Sequence, residues 1–116
     1  MKVIFLNVEE KKPPEVMEID GELDTIKKLI GCNGVDSTLY KIGNATFRIY
    51  LDDTGVKKEN YKESAYSPCR LYPLVGNLVL VGENARGESK SLSDNLAEQI
   101  LRRIIWDRGY YRLYAD

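Results

Sequence analysis

Five arginines fall late in the chain: Arg86, Arg102, Arg103, Arg108 and Arg112. The last four interleave with Trp106, Tyr110, Tyr111 and Tyr114. A guanidinium offers planar, paired donors to a phosphate, and an aromatic face stacks on a nucleobase. Residues of these two types, so spaced, suit a nucleotide-like anion. Arg102 and Arg103 also read as plain solvated cations, favoured by the negative end of the helix they close. Arg108 and Arg112 flank Gly109. For these two, a ligand role stands beside an ion pair with Asp107 or Asp116. A second candidate is Asn95, in the first turn of the same helix. Free backbone N–H groups there meet an anion or polar ligand without any charged side chain. The Asn95 amide offers both donor and acceptor, though an ordinary first-turn polar residue looks the same. Asn84 and Arg86, just upstream, are placed to close over the same point.

Other chemistry is excluded by residue type. The 116 residues contain no histidine. That removes Ser-His-Asp and Cys-His catalysis, histidine-ligated metals and a histidine pH switch. No phosphate-binding glycine loop, zinc-protease motif or nucleophile elbow is present. The acid pairs Glu9-Glu10 and Asp52-Asp53 fall in turn-like segments and read as solvated carboxylates. Cys32 and Cys69 are too few and too far apart for a redox pair or zinc knuckle, and read as half-buried apolar residues in a reducing compartment. Seventeen basic and eighteen acidic residues give a net charge of −1. That balance argues against DNA or RNA binding by bulk charge, yet allows a local basic pocket. No metal, cofactor or catalytic residue is expected.

The elements that must position these residues follow from periodicity. Residues 3–8 are apolar almost throughout and read as a central strand covered on both faces. Pro13-Pro14 interrupts, and 15–19 reads as a second strand, hairpin-paired with the first. Residues 21–30 form a short helix capped by Asp20 and ended by Gly31. Residues 38–42 and 45–51 flank Gly43-Asn44, a two-residue hairpin signal. In the second arm Phe47, Ile49 and Leu51 point one way, and Thr46, Arg48 and Tyr50 the other. Residues 56–73 read as a long loop with at most one turn of helix. Residues 77–81 form a mid-sheet strand. From Ser91 or Ser93, Leu92, Leu96, Ala97, Ile100, Leu101, Ile104 and Ile105 keep a 3.6-residue period, predicting a long helix that Gly109 ends. Residues 110–114 form a short strand or ordered tail. The apolar run at the start stops at Asn7, too short for a signal segment, and no stretch is long enough to cross a bilayer.

Two resemblances attach to these residues. Lys12-Pro13-Pro14-Glu15-Val16, Ile19-Asp20, Leu29-Ile30-Gly31, the 52–55 turn, and 76–82 followed by Ser91-Leu92 resemble, in their order, a family of small phage and plasmid proteins of unassigned function. That likeness covers residues 3–92. The whole chain, with its terminal helix and aromatic-arginine tail, also resembles the first-described anti-Thoeris sponges. These phage proteins hold a cyclic ADP-ribose isomer made by a bacterial TIR-domain sensor. The resemblance implies a dimer-based assembly, up to a hexamer, with pockets at subunit interfaces and cyclic oligonucleotides at separate sites. An asparagine at the helix start corresponds to Asn95 and a late arginine to Arg112. The stacking aromatic expected ahead of the helix is replaced here by Ala85 and Arg86, which moves that role to Tyr72, Trp106 or a tail tyrosine.

The resulting expectation is one α+β domain over residues 1–116: an antiparallel or mixed sheet of about five strands, with the short and the long helix on one face. The expected function is non-catalytic, cytoplasmic sequestration of a cyclic nucleotide signal by Asn95, Arg112, Arg108, Asn84 and Arg86. Eight tyrosines favour a homo-oligomer. The alternative is a mobile-element inhibitor that binds a host defence protein through Tyr61, Tyr66 and Tyr72.

Overall fold

The computed structural model describes residues 1–54, 63–66, 74–107 and 110–113. Strand β1 (Lys2–Leu6) pairs antiparallel with β2 (Glu15–Glu18), running from Lys2 opposite Glu18 to Phe5 opposite Glu15. Helix α1 (Leu23–Ile30) follows, then β3 (Val35–Ile42) and β4 (Ala45–Asp52), a hairpin closed at Gly43-Asn44 as its sequence predicts. Tyr40 and Phe47 face each other across it, ring centroids 5.9 Å apart. Strand β7 (Leu78–Glu83) enters between β1 and β4, with Ile4 and Ile49 both opposite Leu80. The sheet order is β2-β1-β7-β4-β3, and β8 (Ser89–Lys90) adds a sixth strand beside β7. Every pairing in it is antiparallel. The apolar runs of β1 and β7 are central, as expected: Val3, Ile4, Leu6 and Leu78 to Val81 are fully buried.

The placement of the helices differs from the sequence expectation. Ile4, Leu6, Phe47, Ile49, Leu78 and Leu80 share one apolar cluster with Ala97 and Ile100 of helix α2 (Asp94–Arg103). Val3, Phe5, Val79 and Val81 form another with Ile26 and Ile30 of α1. Successive strand residues point to opposite sides, so the two helices cover opposite faces rather than one. The physical reason is visible in β1 and β7. Residues 3–6 and 78–81 are apolar at every position, so both faces of these runs need cover.

The terminal helix is also shorter than its periodicity suggests. It stops at Arg103, and β9 (Ile104–Asp107) turns back into β10 (Tyr110–Leu113), with Ile104 opposite Leu113 and Trp106 opposite Tyr111. Ile104-Ile105-Trp106 is β-branched and aromatic, which suits a pleated surface. Ile104 keeps its core contact either way. The predicted long loop is corrected in part: β5 (Glu63–Tyr66) lies within it, parallel to β10, and antiparallel to β6 (Leu74–Val75). The rest of that loop, with Tyr61, Cys69 and Tyr72, lies outside the described residues. The second sheet, ordered β6-β5-β10-β9, packs on the α2 side through Leu74, Ile104, Tyr111 and Leu113.

Local chemistry accounts for the ends of the elements. Gly31 terminates α1 in the left-handed region (φ 82°), its N–H reaching the Lys27 carbonyl. Asp20 is not the helix cap. It accepts from the Glu22 N–H and the Thr25 hydroxyl, making an Asx turn that leads into the helix. At α2 the cap is Ser93, whose Oγ accepts from the Leu96 N–H at 3.1 Å. Ser91 instead accepts from the Lys2 N–H, and Asp94 pairs with the Lys2 ammonium, which holds that carboxyl below its usual range. The capping-box partners are thus both drawn to β1.

Candidate functional site

Three segments enclose an open cleft of about 940 Å³ at one end of the large sheet. One wall is the β3–β4 turn, with Asn44 and Thr46. The second is the β7–β8 hairpin, with Glu83, Asn84 and Lys90. The third is the start of α2, with Ser93, Asn95 and Gln99. The hairpin wall stands close because Gly82 has no side chain. A Cβ there would lie 2.9 Å from the Ser91 carbonyl oxygen.

The polar groups of the cleft are held in place. Asn84 shapes its own turn: Oδ1 accepts from the Arg86 and Glu88 N–H groups, both at 2.9 Å. Its side-chain NH₂ has no partner among the described residues. Asn95 is exposed, and its Oδ1 accepts from the Gln99 side chain at 3.3 Å. Ser93 caps one N–H of the helix, leaving those of Asp94 and Asn95 without partners among the described residues. Glu83 is nearly buried and pairs with Arg48 at 2.5 Å; Arg48 also donates to the Ser37 hydroxyl. Tyr50 and Ser89 exchange a hydrogen bond at 2.6 Å and tie the hairpin to β4. With Glu83 neutralised, Lys90 is the cleft's unpaired charge among the described residues. The cleft therefore presents carboxamides on facing walls and one ammonium. Such groups hydrogen-bond hydroxyls, ring amides and a single anionic oxygen cluster.

The structure brings together two of the five predicted site residues, Asn84 and Asn95. Arg86 is exposed at the hairpin tip and outside the cleft lining. Arg112 is exposed on β10, on the strand face opposite fully buried Tyr111. It sits opposite Ile105, just past the end of α2, so about 12 Å of helix separates it from Asn95. Arg108 lies outside the described residues. The sequence reading missed Lys90, Glu83 and the Arg48 pair. The alternation of β4 sets Arg48 opposite the core face, but its partner comes from a strand 35 residues away.

Elsewhere, Glu9, Glu10 and Asp53 are turn residues, whereas Asp52 closes β4. Glu10 pairs with Lys12 at 2.7 Å. Asp52 departs from the solvated reading: it is 6% exposed and accepts from the Thr54 N–H and hydroxyl. Cys32 is half-buried against the α1 core, as expected. Among the described residues, no cluster of three or more His, Cys, Asp or Glu is placed to hold a metal. Among the described residues, no helix is long and apolar enough to cross a membrane.

Among the described residues, the fold and cleft define a small α+β protein built on an antiparallel sheet of six strands, with two helices. The chain belongs to the family described as a domain of unknown function (DUF3846), whose model matches residues 1–105. This agrees with the likeness to a family of unassigned function and extends it through α2. No curated protein and no solved structure matches the chain.

Proposed function

We propose that this protein is a non-catalytic binder that captures a small nucleotide-type ligand in the Asn84–Asn95 cleft. The sponge resemblance implies cyclic ADP-ribose isomers as the ligand class, and with them a counter-defence role in a host cytoplasm. The supporting observation is the cleft itself, an open hollow of about 940 Å³ lined by carboxamides from each of its three segments. That is the size range of small-molecule sites. Lys90 and the free N–H groups at the start of α2 suit a phosphate, and Asn84 and Asn95 suit ribose or base edges. Sequestration needs only affinity and copy number. Within one chain Arg112 takes no part in this cleft, so the proposal rests on Asn84, Asn95 and Lys90.

The test is capture and release. The protein is incubated with a cyclic ADP-ribose isomer and heat-denatured, and the released ligand is assayed. Depletion followed by intact recovery supports the reading. Asn95→Ala and Asn84→Ala each weaken capture at least about tenfold, or 1.4 kcal/mol, without unfolding the protein. An altered product indicates an enzyme, and unchanged affinity in both variants removes the site. The alternative, an inhibitor acting by protein–protein contact, is favoured by a different observation: Ile105 and Trp106 are 49% and 41% exposed.

A further inference from the structure

Strand β9 is the outermost strand of the second sheet, and one side of its backbone has no strand partner among the described residues. Natural sheets blunt such edges with proline, lysine or a bulge. Ile104-Ile105-Trp106-Asp107 contains no proline or lysine, and its pairing with β10 is regular. Two of its four residues are exposed large apolar side chains, Ile105 and Trp106. Arg112 is the cross-strand partner of Ile105 and is exposed beside it.

Charge decides what this edge accepts. Residues 102–113 contain four arginines and a single carboxylate, Asp107, in a chain whose overall charge is −1. Arg102 is engaged by Glu98 at 2.6 Å, whereas Arg103 and Arg112 have no ion pair among the described residues. A second copy of this edge would set one cationic segment against another, and like charges across paired strands are unfavourable. An incoming strand with carboxylates meets the opposite situation.

We propose that the β9 edge docks an extended acidic segment of a partner protein, added to the sheet as a strand. Its backbone hydrogen-bonds to β9, its carboxylates fall on the face that Ile105 shares with Arg112, and its apolar side chains fall on the other face and cover Trp106. This surface is separate from the cleft and stands whether or not the cleft binds a nucleotide.

Trp106 is the chain's single tryptophan, so its fluorescence reports on this edge alone. The probes are a hexapeptide of alternating Glu and Val, the same peptide N-methylated at alternate residues, and its Lys-Val counterpart. The Glu peptide changes Trp106 fluorescence saturably, and the other two bind at least tenfold more weakly. Arg112→Gln, an exposed substitution checked for folding by circular dichroism, weakens the Glu peptide at least fivefold. Each of four results overturns the proposal: no response to the Glu peptide up to millimolar concentration, equal binding of the N-methylated form, or equal binding of the Lys form. The fourth is a dimer in light scattering that the Glu peptide leaves intact and Ile105→Glu dissolves, which gives the edge to a second copy.

Discussion

Strands β7 and β9 are both short runs of large apolar residues, and they meet different fates. β7 lies between β1 and β4 with a helix on each face, and Leu78 to Val81 are fully buried. β9 has one strand neighbour among the described residues, and Ile105 and Trp106 remain about half exposed. Burial here is set by the number of neighbours an element acquires rather than by its composition. A central strand loses its apolar surface to the core, and an edge strand keeps some for other partners.

The widest separation between the two regions is in stability. Leu80→Ala, at a fully buried position packed on the α2 side, is expected to cost about 2–5 kcal/mol in chemical denaturation. Ile105→Ala is expected to cost under about 1 kcal/mol, because half of the side chain is already in water. Equal losses would mean that β9 is as deeply built into the fold as β7.

Tyr111 joins the two regions. It is fully buried, its hydroxyl donates to the Lys12 carbonyl beyond β1, and desolvation pushes its phenol up to about 12. Tyr111→Phe is expected to cost about 0.5–1.5 kcal/mol through the lost hydrogen bond. A phenol whose pKa is raised on folding favours the folded state below its unfolded value near 10. That contribution is lost as pH rises from 10 towards 12. Wild-type stability therefore falls over this interval more steeply than that of the Phe variant, and a parallel decline in the two would break the link. The smallest effect belongs to the surface. Lys2 and Asp94 are paired in an exposed position, so Asp94→Asn leaves the denaturation midpoint nearly unchanged and 1 M salt does the same. A clear loss would mean that this ion pair helps anchor α2 to β1.

Much of the large sheet was legible in the sequence because its signals are local. Gly43-Asn44 lies between two alternating segments, Gly31 follows an amphipathic turn, and the runs of β1 and β7 have no polar face. Residues 104–107 were misread because Ile104 and Ile105 satisfy a helical period and a strand equally well. Only pairing with β10 separates the two, and that pairing is a tertiary fact. The cleft was half legible. Asn95 and Asn84 announce themselves as polar residues at a helix start and in a turn. Lys90, and the neutralisation of Glu83 by Arg48, depend on strands distant in sequence.

The chain's own residues determined five of the six strands in the large sheet, where α1 stops, and that histidine chemistry is absent, because each depends on neighbours a few positions away or on composition alone. Tertiary structure decided that the helices take opposite faces, that the last helix yields to a hairpin, and that Asn84 and Asn95 line one cleft while Arg112 stands apart. Those outcomes turn on which surfaces find cover, and cover is supplied by parts of the chain that no local pattern names.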